Sequence, residues 1–313
     1  MQFLTIPLSI FFDLLLGDPP NRFHPTAWMG NLIAFLMRFR PRGNRFAELI
    51  FGALILFIGL TLTIGAGWTL SVFASRFLFG ILIEALALKL TISLRGLDRA
   101  AREVQSALEA QNLPEARRLL SWHLVSRDTA NLTESQVAAA AIESVAENAS
   151  DGIVAPLFFY ALGGLPLAFA YRFVNTADSM LGYRDAECEW IGKIPARLDD
   201  VLNFIPARLT GLFICAATGF RKQAWAIMRR DSQLTASPNA GVPMSAMAGA
   251  LGVELEKIGH YKLGANLRAP TMNDLRQARR LLYFSVALAV VCFELLSFRA
   301  ERGIFAIISK TLR

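Results

Sequence analysis

Apolar residues in this chain gather into long runs, and polar residues collect at the ends of those runs. Residues 3–16 are apolar around Asp13, and GDPPNRFHPTAWMG at 17–30 reads as a loop from its Gly, Pro and Asn content. Residues 46–72 are apolar apart from Glu48 and a few small or hydroxyl residues, long enough to cross a bilayer with tilt. A second run, 77–94, follows Ser75 and Arg76 and carries Glu84 inside it, which predicts a hairpin of two spans. Residues 281–298 form a last apolar run.

Between these runs the period changes. Residues 95–133 place apolar and charged positions at helical spacing, the pattern of amphipathic helices over a membrane core. Thr133 and Gln136 fit a capping box, so a helix starts there and continues through QVAAAAIESVAEN. The apolar stretch 153–170 contains Pro156, Gly163, Gly164 and Pro166, which predicts a broken or re-entrant segment. Residues 201–219 give one more moderately apolar helix.

Composition turns this pattern into a fold class. Hydrophobic residues are 54% of the 313 and charged residues 18%, too apolar for a soluble enzyme. The pattern predicts an all-α polytopic integral membrane protein of about 4–6 transmembrane or re-entrant helices, with amphipathic cytoplasmic helices, as one membrane-embedded domain over residues 1–313. The net charge of +7 comes from basic residues that flank apolar runs, including ten Lys or Arg against four acids in 221–280. That distribution points to cytoplasmic loops and a lipid bilayer as partner, and away from nucleic acid. Three dispersed cysteines and three dispersed histidines give neither a disulfide framework nor a zinc site.

The candidate chemistry lies in 143–208. Glu143, Glu147, Asp151, Asn175, Asp178, Arg184, Asp199 and Asp200 stand at the ends of apolar segments, where a mere anchor has no use for charge. Glu143, Glu147 and Asp151 recur every four residues and would share one helix face. Their mutual repulsion is relieved by a cation, with Mg²⁺ the natural one, or the face is simply solvated. Asp13, Asp18 and His24 form a second short polar set. In SPNAGVPMSAMAGALGV at 237–253, Ser237, Asn239 and Gly241 specify a turn whose backbone N–H groups could hold phosphate, although no Walker loop is present. We expect Asp178 and Arg184 to share one cavity with Glu147 and this turn.

The segments DLLLGDPPNRFHPTAWMG, SRDTANLTESQVAAAAIESVAENASDGIVAPLFFYALGGLPLAFAYRFVNTADSMLGYR, ARLDDVLNFIPARLT and SPNAGVPMSAMAGALGV closely resemble the adenosylcobinamide-phosphate synthases, the CobD/CbiB family of cobalamin biosynthesis. The resemblance implies an integral enzyme of the bacterial cytoplasmic (inner) membrane. It would join adenosylcobyric acid, through a propionate carboxylate, to the amine of (R)-1-aminopropan-2-ol or its O-phosphate. ATP and Mg²⁺ are implied, as is association with other cobalamin assembly enzymes. On this reading Glu143, Glu147, Asp151 and Asp178 hold the metal. Arg127, Arg208, Ser237, Asn239 and Gly241 hold the nucleotide, and Arg184 meets developing charge with Asp199 or His24 as proton acceptor. Asn148, Asn175, Asp178, Asp200 and Asn203 contact substrate. A transporter or binding protein for a corrinoid or polar metabolite is the alternative.

Overall fold

A computed structural model of the chain describes residues 4–182 and 188–311, with side-chain surroundings given up to residue 297. In chain order the helices are α1 (Thr5–Leu16), α2 (Pro25–Met37), α3 (Arg45–Ala74), α4 (Gly80–Lys89), α5 (Leu94–Glu109), α6 (Leu113–His123) and α7 (Glu134–Ala149). A π-helical turn, Ser150–Val154, leads into α8 (Ala155–Leu181), then α9 (Lys193–Leu202), α10 (Phe204–Ala217), α11 (Lys222–Asp231) and α12 (Gly241–Leu251). Strands β1 (Leu255–Lys257) and β2 (Tyr261–Leu263) precede the last helix, α13 (Met272–Thr311).

Among the described residues, three helical stretches are long and apolar enough to cross a membrane: Arg45–Ala74, Glu134–Leu181 and Met272–Ser297. The bent pair α9 and α10 would make a fourth. The protein is therefore a helical polytopic membrane protein with three or four such segments, at or below the bottom of the expected range. One expected span, at 77–94, and a first apolar helix that is short account for the difference. Helix α1 has 12 residues and α4 has 10, so each covers about 15–18 Å, well short of a hydrocarbon core of about 30 Å. Helix α4 buries Glu84 and Lys89 on one side and leaves Leu82 and Leu86 exposed on the other.

The chain folds as two compact units, each discontinuous in sequence. Unit 1 comprises residues 1–93, 155–202 and 290–313, and unit 2 comprises 94–154 and 203–289. In unit 1 the main contact is α3 against α8, built where α3 lacks side chains. A Cβ on Gly59 would lie 1.8 Å from the Phe173 ring, and one on Gly67 would lie 2.7 Å from the Pro166 backbone. Between apolar helices in lipid the gain comes from such close packing, since lipid is as apolar as the helix surface. Around this contact Met29, Ile33, Ile55, Leu56, Val174, Ala177, Leu181 and Ile191 form one buried cluster. The expected break in α8 is present: Gly163 and Gly164 leave helical geometry, with Gly164 at φ 65°, just before Pro166.

Unit 2 is organised around α7. Its capping box forms as expected, with Gln136 N donating to Thr133 Oγ1 at 3.4 Å and Thr133 N donating to Gln136 Oε1 at 2.8 Å. All residues from Val137 to Ala146 are buried, largely alanines that let neighbours approach. Helix α12, buried over its whole length, packs on α7, α10 and α11. The amphipathic pair α5 and α6 also forms, with Leu97, Ala101, Val104 and Leu108 of α5 buried. The strands were not expected. Leu255 pairs with Leu263, both fully buried, and together they hold a tight antiparallel hairpin against the unit.

Candidate functional site

Unit 2 contains a pocket of about 470 Å³ lined by Glu147 of α7, Thr235 and Ser237 of the turn before α12, Met244 of α12, and Lys257, His260 and Tyr261 of the hairpin. Helix α7 supplies the acid because four-residue spacing keeps Glu143 and Glu147 on one face. Glu143 lies deeper, 6% exposed. Its Oε2 faces Arg127 Nη2 at 3.5 Å, while its Oε1 is buried without a hydrogen-bond partner among the described residues. Arg127 arrives on the segment between α6 and α7, whose start is tied to α7 by Ser144 Oγ donating to the Leu124 carbonyl at 2.9 Å. Asn148 donates to the Ser144 carbonyl at 2.9 Å and so braces the same turn of helix.

Tyr261 lies beside these acids, its hydroxyl 3.9 Å from Met244 Sδ. Burial first, and then the carboxylates of Glu143 and Glu147, push its phenol well above the usual tyrosine range. It therefore stays protonated and can act as a hydrogen-bond donor at any physiological pH.

The turn at 237–241 is built differently from expectation. The backbone N–H groups of Asn239 and Ala240 donate to Ser237 Oγ at 3.2 and 3.3 Å, and Val242 N donates to the Asn239 carbonyl. Those N–H groups are already satisfied within the turn, so a phosphate in the pocket must find its donors elsewhere. Gly241 is there for close approach: a Cβ would lie 2.1 Å from the Ser232 carbonyl. Arg208 stacks on Phe204, 3.5 Å from the ring centre, and donates to Asn239 Oδ1 at 3.1 Å. It buttresses the turn. Lys257 and His260 of the hairpin, absent from the residues expected from sequence, are the cationic and donor groups on the pocket wall.

The remaining expected residues divide between the units. Asn203 is buried in unit 2. Asp151 also belongs to unit 2, but it sits in the π-helical turn, where i→i+5 bonding changes which residues stack above Glu147. Asn175, Asp178, Asp199 and Asp200 belong to unit 1. There Asn175 Nδ2 donates to Asp199 Oδ1 at 3.3 Å, and the charge of Asp200 bears on Asp178. Arg184 lies outside the described residues. Among the described residues, no group of three or more His, Cys, Asp or Glu stands close enough to hold a metal ion.

His24 has a structural post. It is the N-cap of α2, with Nδ1 accepting from Thr26 N at 3.2 Å and Nε2 3.7 Å from Asp18 Oδ1. Ser93 Oγ donates to Asp18 Oδ2 at 2.6 Å, and Lys89 donates to the Gly17 carbonyl. Burial opposes the Asp18 charge, but the His24 and Ser93 hydrogen bonds and the nearby Lys89 outweigh it and hold the carboxyl below its usual range.

Residues 6–288 match the family model described as CobD/Cbib protein. A cobalamin biosynthesis protein CobD of Dehalococcoides mccartyi is 43% identical over 271 residues, covering 85% of this chain and 87% of the relative. A cobalamin biosynthesis protein CbiB of Salmonella typhimurium is 37% identical over 307 residues, covering 93% and 96%. A probable CobD of Methanothermobacter thermautotrophicus is 43% identical over 264 residues, covering 82% and 85%. No solved structure matches the chain. With a family match over nearly its whole length and relatives well above 30% identity, the chain belongs to the CobD/CbiB family of cobalamin biosynthesis proteins.

Proposed function

We propose that this protein is an amide-forming ligase of the bacterial cytoplasmic membrane. It joins a propionate carboxylate of adenosylcobyric acid to the amine of (R)-1-aminopropan-2-ol or its O-phosphate, with consumption of ATP. The observation that carries the reading is the unit 2 pocket, where Glu147 faces Lys257 and His260 above the buried Glu143. At about 470 Å³ the pocket suits a nucleotide, an amino-alcohol or one corrin side arm, and is far too small for a whole corrinoid.

A carboxylate does not condense with an amine in water, and ATP bound with Mg²⁺ would supply the phosphoryl group that activates it. Glu143 Oε1 is a buried oxygen with no hydrogen-bond partner among the described residues, beside a second carboxylate. Mg²⁺ takes one or two protein carboxylates and fills its other positions with water and phosphate. In our reading Glu143 and Glu147 would hold it, and Asp151 or Asp178 is not required for it.

The chain's own residues then have separable tasks. Lys257 attracts the anionic groups that enter, Arg127 balances the charge of Glu143, and protonated Tyr261 donates to an oxygen in the pocket. Ser237, Asn239, Gly241 and Arg208 set the shape of the opposite wall. In unit 1 we propose Asn175, Asp178, Asp199 and Asp200 as a separate set of polar substrate contacts. Purified full-length protein in detergent, given adenosylcobyric acid, aminopropanol phosphate, ATP and Mg²⁺, should release phosphate and amide product together. Corrinoid binding with no amide formed would replace this reading with that of a transporter or binding protein.

A further inference from the structure

Unit 2 holds a second cavity, of about 510 Å³, that the proposed ligation does not use. It opens beside α6 and is lined by Arg117, Arg118, Ser121, Trp122 and, across from them, Asp128 and Thr129. Its cations are not equivalent. Arg118 is held bidentately by Glu115, with both contacts at 2.7 Å. Arg117 is anchored through Nε, which donates to the Leu132 carbonyl at 2.7 Å, and it pairs with no carboxylate among the described residues. A guanidinium fixed by one nitrogen, with its terminal N–H groups left for the cavity, is a prearranged fork for a tetrahedral or planar anion. Asp128, the acid on the facing wall, has one oxygen committed to Ala130 N at 2.9 Å. Trp122 adds a ring that is 76% exposed, a large apolar surface left in contact with solvent.

The cavity is also tied to the segment that carries Arg127. Thr129 Oγ1 donates to the Arg117 carbonyl at 2.9 Å, and the Arg117 anchor grips Leu132, so both contacts of Arg117 fall on the segment between α6 and α7. Arg127, on that same segment, reaches Glu143.

We infer that this cavity is a second binding site, for a phosphate-bearing anion held by Arg117 and Ser121 against the Trp122 ring, and that occupancy steadies the segment 124–132. A free phosphate compound or the headgroup of an anionic lipid could present that chemistry. The inference does not depend on the ligase reading.

The test uses full-length protein in neutral detergent, titrated with inorganic phosphate. Emission is compared with that of Trp122→Phe to isolate the signal of Trp122. A parallel arm places the protein in nanodiscs of phosphatidylglycerol or of phosphatidylcholine. We expect a saturable change in Trp122 emission and slower amide exchange in 124–132, with affinity at least about tenfold weaker in Arg117→Gln and Ser121→Asp. The Ser121→Asp variant leaves the Arg117 anchor in place, so it decides the question if Arg117→Gln does not fold. A response to phosphatidylglycerol alone identifies the ligand as a headgroup. A response to neither probe, or one undiminished in Ser121→Asp, overturns the inference.

Discussion

Two carboxylates, Asp18 in unit 1 and Glu143 in unit 2, are held in different ways. In unit 1 the Asp18 carboxylate is enclosed by His24, Ser93 and the charge of Lys89, and the described contacts of its loop hold α1, α2 and α4 to one another. In unit 2 the buried Glu143 meets Arg127 at a loose 3.5 Å and leaves its other oxygen without a hydrogen-bond partner among the described residues, next to a pocket. A satisfied charge network rigidifies a fold. A buried carboxylate beside a pocket that a second acid, a lysine and a histidine line is where a ligand is expected. The pocket, more than the number of acids in either unit, is what supports placing the proposed chemistry in unit 2.

The largest expected effect comes from removing charge from Glu143 and Glu147. Glu147→Gln and Glu143→Gln should each lower amide formation by about 10²-fold or more with the fold intact. Unaltered Mg²⁺ dependence in both variants would remove the metal assignment. Next, Lys257→Met should raise the KM for the anionic substrate by about tenfold, the worth of one charge-assisted contact, with a smaller effect on kcat. On the unit 1 side, Gly59→Ala forces a methyl into the Phe173 ring and should destabilise by about 1–3 kcal/mol, read as a lower midpoint of thermal unfolding in detergent. Thr133→Ala, which removes the α7 cap, should cost about 1 kcal/mol by the same measurement.

The smallest effect is a pH dependence. Burial disfavours the Asp98 charge, but hydrogen bonds from Arg279 at 2.7 Å and Arg102 at 2.9 Å outweigh it and bring the carboxyl below its ordinary value of 3.8. A depressed carboxyl contributes stability that is full above its unfolded value and is lost as pH falls through the folded one. Wild type should therefore lose more stability than Asp98→Asn as pH drops below about 4, measured by thermal unfolding in parallel pH series.

Much of this was legible in the sequence where a local rule decides the outcome. The Thr133 and Gln136 box fixed where α7 begins, four-residue spacing put Glu143 and Glu147 together, and Gly163, Gly164 and Pro166 marked the break in α8. The misses have physical causes. An apolar run looks the same whether lipid or protein covers it, so the run at 77–94 reads as a span although α4 within it is short and buries Glu84 and Lys89. The hairpin that carries Lys257, His260 and Tyr261 consists of three-residue strands, too short for a period of two to register. It exists because Leu255 and Leu263 bury themselves together, a tertiary event. In the 237–241 turn, composition announced a turn but could not say that Ser237 Oγ would take up its N–H groups.

The central claim is that nucleotide and chemistry meet in the unit 2 pocket. It is tested most directly by photolabelling the purified full-length protein with a photoreactive ATP analogue in the presence of Mg²⁺ and mapping the labelled peptides. We predict label on the peptides spanning 234–244 and 255–263, competed by ATP and reduced in Lys257→Met. ATP-competed label confined to peptides of unit 1, with those two segments unmodified, would contradict it.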